Sequence, residues 1–447
     1  MNGLNHTHDP AVRSWLASAN GEGTDFPIQN LPLAVFRRRA GDEAFRGGAA
    51  IGDQIVDLAA LARLDLLDGD AQRACAACAQ PALNDYMAMG GPAWQALRHG
   101  LFSLLDQGAS ERTRHQLAGC LVPQAQAVYA LHARIGDYTD FYTSIHHALN
   151  TGRQARPDAP LTPNFQWLPI AYHGRASSVR VGQDGFAFRR PMGQAMAPGA
   201  AQPTFGPCAR LDFELEMGFY VGPGNALGEP IPLTRAEEQI AGMVLLNDWS
   251  ARDHQFWEMR PLGPFLGKNF CTTVSPWLVS MEALAPFRVP FVRAPSEPQP
   301  LPYLDGETNR ARGSIDVQLE VCLDTPQHRN RGLAASRITA TSFRHQYWTP
   351  AQMVTQHTVG GCNLQPGDLV GTGTISGPTP AEAGSLLELS HGGRRPVTLA
   401  ATGEQRGFLQ DGDTVVLRGW CEQAGARRIG LGECRGTVLP ALAAQAT

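Results

Sequence analysis

In the stretch Leu211-Asp212-Phe213-Glu214-Leu215-Glu216-Met217, acidic and apolar residues alternate. In an extended strand, Asp212, Glu214 and Glu216 project from one face and Phe213, Leu215 and Met217 from the other. Three carboxylates on one surface repel, and burial would push them towards the protonated form. A hard divalent cation, Mg²⁺ or Ca²⁺, reverses that balance, because it takes oxygen ligands and is the largest local charge wherever it sits. The alternative is the solvated face of a half-exposed sheet.

Other residues add to this chemistry. Asp140 and His147 stand seven apart in Asp140-Phe141-Tyr142-Thr143-Ser144-Ile145-His146-His147, which reads as a short helix with both side chains on one face. A helix-capping Asp and a core histidine would have the same spacing. Asp248 follows the apolar run Met243 to Leu246 at a strand-to-helix junction, with Arg252 and Gln255 stacked on the helix that begins there. Lys268 is a lone cation among apolar and turn residues, and Gly371-Thr372-Gly373-Thr374 resembles a phosphate loop without its lysine. Asp140, Glu214, Glu216 and Asp248, with a His, an Arg, a Gln and a Lys, are the inventory for an oxygen-ligated Lewis acid, a general base for water and donors to an oxyanion.

The elements that must position these groups fall into two parts. A chain of 447 residues exceeds the roughly 250–300 that one core can serve. Residues 1–125 read as a small domain, with a hairpin around Gly52-Asp53 and a helix after Gly91-Pro92 carrying Trp94, Leu97, Leu101 and Leu104. From 126 to 447 the texture is of many short strands punctuated by Gly and Pro, a mainly β (α+β) domain. Two Pro-rich stretches, Met192 to Pro207 and Pro286 to Pro302, read as extended surface loops. Hydrophobic residues at 43% and charged residues at 17% support a sizeable interior. A formal charge of -4 gives no footprint for nucleic acid or anionic membrane, so a small molecule is the expected partner. No signal-peptide core or membrane span is evident, and nine scattered cysteines read as reduced thiols; the expectation is an intracellular protein. Cys75 and Cys78 have C-x-x-C spacing but sit in an Ala-rich helical stretch, which argues for packing.

Taken in order, Asp137-Tyr138-Thr139-Asp140-Phe141-Tyr142, Tyr172-His173-Gly174-Arg175, Arg190-Pro191-Met192-Gly193-Gln194, the Glu-Leu-Glu strand, Asn247 to Asp253, Pro261 to Lys268 and Gly373-Thr374-Ile375-Ser376-Gly377 resemble the fumarylacetoacetase family nearly end to end. The resemblance implies a small SH3-like N-terminal barrel, a larger mixed β-roll catalytic domain, and a cytoplasmic homodimer. It implies metal-dependent cleavage of a carbon–carbon bond in a diketo acid, 4-fumarylacetoacetate, to fumarate and acetoacetate, the last step of tyrosine and phenylalanine breakdown. Metal ligands carry over to Asp140, Glu214, Glu216 and Asp248, the base to His147, its orienting carboxylate to Glu388, and donors to Arg252, Gln255 and Lys268. A second Mg²⁺ position lies by Lys268 and Thr272. Substrate contacts carry over to Tyr142, Arg156, Tyr172, Gln255, Thr374 and the position of Met259.

The chain departs from the family pattern at three places. Met259 stands where the family usually has a tyrosine, Cys271 where it has a glycine that leaves the Lys268 to Thr272 loop uncrowded, and Gln154-Ala155 where it has bulkier apolar residues. An acylpyruvate hydrolase or 2-oxo acid decarboxylase of the same fold is one alternative, although such chains are shorter. A catalytically silent metal-binding protein is another, although it would need none of His147, Glu388 and Lys268.

Overall fold

The computed structural model of the chain describes residues 3–442. Its N-terminal part is a five-stranded antiparallel sheet in the order Leu121–Pro123, Gln54–Asp57, Arg46–Ile51, Leu33–Arg38, Ala127–Ala130. Ile51 pairs with Gln54 across Gly52-Asp53, and the two-residue loop works because Gly52 takes a φ of 55°. Helices Gly69–Cys78 and Gly91–Leu105 pack beside this sheet. Pro92 occupies the first turn of the second helix, and Leu97, Leu101 and Leu105 line its buried face. Cys75 and Cys78 are buried free thiols in the same core.

The C-terminal part is built on a seven-stranded mixed sheet, in the order Ala171–His173, Tyr138–Phe141, Leu369–Gly371, Leu215–Val221, Ile240–Asp248, Thr272–Val274, Val179–Val181. Against one face lies a five-stranded sheet of Ser336–Ser342, Gln318–Asp324, Thr414–Cys421, Ile429–Leu439 and Ala187–Arg189. Leu215, Met217, Phe219, Met243 and Leu245 meet Leu319, Val321, Leu417 and Leu431 between the two sheets. Tyr138, Tyr220, Val244 and Leu246 leave the other face and pack against the N-terminal part. The seven-stranded sheet is therefore covered on both sides, which is why Ile240–Asp248 reads as a nearly unbroken apolar run. Each fully buried Leu or Phe in such a layer contributes roughly 1.5–3 kcal/mol. Among the described residues no helix is long and apolar enough to cross a membrane.

Three local expectations are corrected. Asp140 does not open a helix: it lies on the strand Tyr138–Phe141, paired with Leu369–Gly371, and the helix begins at Ile145 with Ser144 as its cap. The acidic strand is interrupted, Leu211–Asp212 pairing with Ser250–Ala251 before the main strand starts at Leu215, so Asp212 leaves the set formed by Glu214 and Glu216. Every residue from Leu211 to Val221 is buried, which rules out a solvated face. Finally, Met192–Ala195 and Thr204–Pro207 form an antiparallel hairpin in which Met192 faces Pro207, in place of a free loop.

Candidate active site

Strand order brings the four carboxylates together. Asp140 lies opposite Gly371 on a parallel neighbour, and Gly371 pairs on its other side with Gly218, two residues beyond Glu216 on the same face. The middle strand has no side chain in this row. A Cβ at Gly371 would lie 2.6 Å from Asp140 Oδ1, 3.1 Å from Glu216 Oε2 and 3.2 Å from the Tyr138 hydroxyl. On the far side, Asp248 ends the strand Ile240–Asp248, and its N–H donates to the Glu214 carbonyl at 3.3 Å. One oxygen from each of Asp140, Glu214, Glu216 and Asp248 lies within 4.8 Å of the others, and all four residues are buried.

Crowding sets the electrostatics. Burial, reinforced by the Asp248 charge, pushes the Asp140 carboxyl well above its ordinary range. Glu216 is raised in the same way by burial, Asp140 and Asp248, and Asp248 is raised by burial against the opposing pull of Lys268. Burial acts on Glu214 too, but Lys268 and Arg252 outweigh it and hold that carboxyl low. Lys268 Nζ donates to Glu214 Oε2 and Asp248 Oδ2. Arg252 donates through Nε to Asp212 Oδ2 at 3.0 Å and through Nη1 to Glu214 Oε1.

Two buried oxygens, Asp140 Oδ1 and Glu216 Oε1, have no partner among the described residues. Leaving such a group unsatisfied costs about 1–3 kcal/mol, and more when it is charged. Hard divalent cations take roughly six to eight oxygen ligands. An all-oxygen set with two orphaned members and three carboxyls raised by burial and mutual repulsion fits such an ion.

His147 lies on the helix Ile145–Ala155, where its N–H donates to Ser144 Oγ at 3.3 Å. Its Nδ1 is 2.6 Å from Glu388 Oε2. Glu388 also accepts from Asn150 Nδ2 at 2.9 Å, Ser376 Oγ at 2.9 Å and Ser385 Oγ at 2.8 Å. Burial tends to raise this carboxyl, but His147 and the surrounding donors hold it below its ordinary value. A carboxylate only accepts, so Nδ1 carries the proton and the lone pair is on Nε2. Ser144 Oγ donates to the Ser376 carbonyl at 3.1 Å and Thr143 Oγ1 to the Thr372 carbonyl at 2.6 Å, which ties the start of this helix to the segment whose Gly373 N–H reaches Glu216 in the carboxylate cluster.

The remaining predicted residues divide. Tyr172 donates its hydroxyl to Asp248 Oδ2 at 2.8 Å, and Thr272 Oγ1 donates to Asp248 Oδ1 at 3.2 Å. The Tyr142 ring stands edge-on to His147 at 5.3 Å, with its hydroxyl 2.8 Å from Thr151 Oγ1. Gln255 Oε1 accepts from Arg252 Nη1 at 3.2 Å. Met259 closes the helix Arg252–Glu258, half-buried, and Thr374 is buried next to Gly373, whose N–H donates to Glu216 Oε2 at 3.0 Å. Arg156 is exposed at the end of the His147 helix and donates to the Pro160 carbonyl at 3.1 Å. Cys271 packs into the catalytic core. Sequence reasoning missed Asp212 as the partner of Arg252, and Asn150, Ser376 and Ser385 around Glu388. Only Ser385-Leu386-Leu387-Glu388 carried a local signal, a Ser three residues ahead of a Glu at a helix start.

Fold and site together define a hydrolase with a buried acidic centre suited to a divalent cation and a histidine–carboxylate pair beside it. Residues 138–439 match the family described as Fumarylacetoacetate (FAA) hydrolase C-terminal, and residues 29–132 the Fumarylacetoacetase N-terminal family. Fumarylacetoacetase of Homo sapiens is 49% identical over 425 residues, covering 94% of this chain and 98% of that one. The Caenorhabditis elegans fumarylacetoacetase is 48% identical over 427 residues with the same coverages, and that of Oryza sativa subsp. japonica 46% identical over 426 residues, covering 94% and 96%. The chain belongs to the fumarylacetoacetase family.

Proposed function

We propose that this chain hydrolyses 4-fumarylacetoacetate to fumarate and acetoacetate. The observation that carries the reading is the pairing, in one buried site, of four crowded carboxylates having two partnerless oxygens with the His147–Glu388 pair. A Mg²⁺ or Ca²⁺ ion held by Asp140, Glu214, Glu216 and Asp248, with Thr272 and Lys268 at its margin, would supply Lewis-acid polarisation of a carbonyl.

The chain's own groups do the rest. His147 Nε2 takes a proton from water as the oxygen attacks the carbonyl carbon, and Glu388 stabilises the resulting imidazolium. Arg252, whose Nη2 has no partner, and the Gln255 amide and Lys268 ammonium donate to the tetrahedral oxyanion. Collapse breaks the carbon–carbon bond. Its electron pair leaves on the acetoacetate carbon, which takes the proton from His147 Nε2. Tyr142, Tyr172 and Thr374 line the substrate space, and Arg156, exposed at the end of the His147 helix, is the guanidinium suited to a terminal carboxylate. The N-terminal part, whose sheet extends through Ala130, serves as a supporting domain for the catalytic part that follows it, and the protein works as a cytoplasmic homodimer.

The test is loss of diketone absorbance after metal-stripped protein is resupplied with Mg²⁺ or Ca²⁺. Metal-restored formation of fumarate is expected. Turnover of acylpyruvates or oxaloacetate instead, by folded and metal-loaded protein, would refute the substrate assignment and implicate Met259.

A further inference from the structure

Three of the four clustered carboxylates are visibly held by donors. Glu214 is held by Lys268 and Arg252, Glu216 by the Gly373 N–H, and Asp248 by Lys268, Tyr172 and Thr272. Asp140 is the exception among the described residues, and its Oδ1 is fully buried without a partner. A second partnerless group lies close by. The Tyr138 hydroxyl is also buried and unpaired, in a residue only 2% exposed. Tyr138 and Asp140 are two apart on one strand, so both side chains leave the same face.

Both groups border one small space. The vacant Cβ position of Gly371 lies 2.6 Å from Asp140 Oδ1 and 3.2 Å from the Tyr138 hydroxyl. Any side chain at residue 371 would fill the gap between them. An orphaned donor and an orphaned acceptor bordering one space kept open by a glycine are complementary, because buried polar groups are costly unless paired.

We infer that Tyr138 is a positioning residue of the cation centre: its hydroxyl holds the Asp140 carboxylate, directly or through one water, in the orientation a bound divalent cation needs. The inference rests on the reading that the four carboxylates bind such a cation. Groups that orient metal ligands typically govern affinity by about 10–100-fold. The Tyr138 ring belongs to the core between the sheet and the N-terminal part, so Tyr138→Phe keeps the packing and removes only the donor.

The experiment measures Ca²⁺ and Mg²⁺ binding by calorimetry on wild type, Tyr138→Phe and Tyr220→Phe, with unfolding of each protein metal-free and metal-loaded. Tyr220 is a buried tyrosine of the same core whose hydroxyl faces His132. Tyr138→Phe should bind about 10–100-fold more weakly, unfold like wild type when metal-free, and lose most of the cation-induced rise; Tyr220→Phe should bind like wild type. A purely structural role for the hydroxyl would instead lower metal-free and metal-loaded stability equally. Equal affinity in wild type and Tyr138→Phe overturns the inference alone, whereas no binding by wild type overturns the cation reading beneath it. Should Tyr138→Phe not fold, 3-fluorotyrosine placed at position 138 gives a second reading. Its ¹⁹F resonance should shift on adding Ca²⁺, and an unchanged resonance refutes the contact.

Discussion

Replacing Glu388 by Gln tests the catalytic pair most directly. Glu388 accepts four hydrogen bonds, from His147 Nδ1 at 2.6 Å, Asn150 Nδ2 at 2.9 Å, Ser376 Oγ at 2.9 Å and Ser385 Oγ at 2.8 Å. An amide has one oxygen and one NH₂. If the NH₂ faces His147, Nδ1 must accept, the ring proton moves to Nε2, and the base is lost. If the oxygen faces His147, it also keeps the Ser385 hydroxyl, and the NH₂ meets Asn150 and the Ser376 hydroxyl; the hydroxyl can turn to accept, and Asn150 must rotate its amide to present Oδ1. That orientation keeps the contact with Nδ1 but removes the charge that stabilises the imidazolium. Loss of a positioned general base lowers the rate by about 10²–10⁴-fold, or roughly 3–5 kcal/mol of barrier at 1.36 kcal/mol per tenfold. The assay is kcat at saturating cation, with calorimetric cation affinity in parallel. Expected is a kcat loss in that range with affinity unchanged. A kcat within about threefold of wild type in a folded, metal-loaded protein would refute the role given to Glu388, since its charge would then contribute less than about 0.7 kcal/mol.

Four further outcomes follow from the same geometry. His147→Ala should abolish turnover while leaving cation affinity intact, because the ring lies outside the ligand set; retained activity in the absorbance assay would mean another base. Glu216→Gln should weaken cation binding at least tenfold by calorimetry and stabilise the metal-free protein in urea, since it removes one of the carboxyls that burial and repulsion raise; stripping wild type of metal should cost about 3 kcal/mol relative to a hundredfold excess over Kd. His132 is fully buried with Nε2 on the Pro276 carbonyl at 3.0 Å, and burial lowers its pKa to about 4. Its folded pKa lies below the unfolded value near 6.5, so this stability is complete above that pH and is lost as pH falls towards 4, by roughly 3 kcal/mol in all; His132→Gln should flatten the acid limb of a denaturation series. Gly373 holds φ at 79°, and a Cβ there would lie 2.3 Å from the Phe141 carbonyl oxygen; Gly373→Ala should destabilise by about 1–3 kcal/mol and weaken cation binding through the displaced N–H to Glu216.

Much of the site was legible because it is local. Alternation of acids and apolar residues from Leu211 to Met217 is a property of a few consecutive residues, and it marked Glu214 and Glu216 correctly as partners on one face. The apolar run before Asp248 and the hairpin at Gly52-Asp53 were legible for the same reason. Where local reasoning failed, two local signals competed. The seven-residue spacing of Asp140 and His147 suggested one helix, but Ser144 caps the helix and residues 138–141 gain more by pairing with Leu369–Gly371. Both side chains still reach the site, by a route the spacing did not describe.

What only the tertiary structure decided is which residues become neighbours across the sheet. Asp140 and Glu216 meet because a glycine, Gly371, lies between their strands, and nothing within ten residues of either carboxylate announces that arrangement. The partners of Glu388 are likewise remote, with Asn150 lying 238 residues away. Whether a run of acids becomes a solvated face or a buried cation centre depends on what covers it, and the cover here is supplied by strands and loops far along the chain. The residue types that can do the chemistry are a property of the sequence. Their desolvation, which crowds three of the four carboxyls strongly enough to favour an ion, and the contact with Glu388 that orients the imidazole are properties of the packed fold.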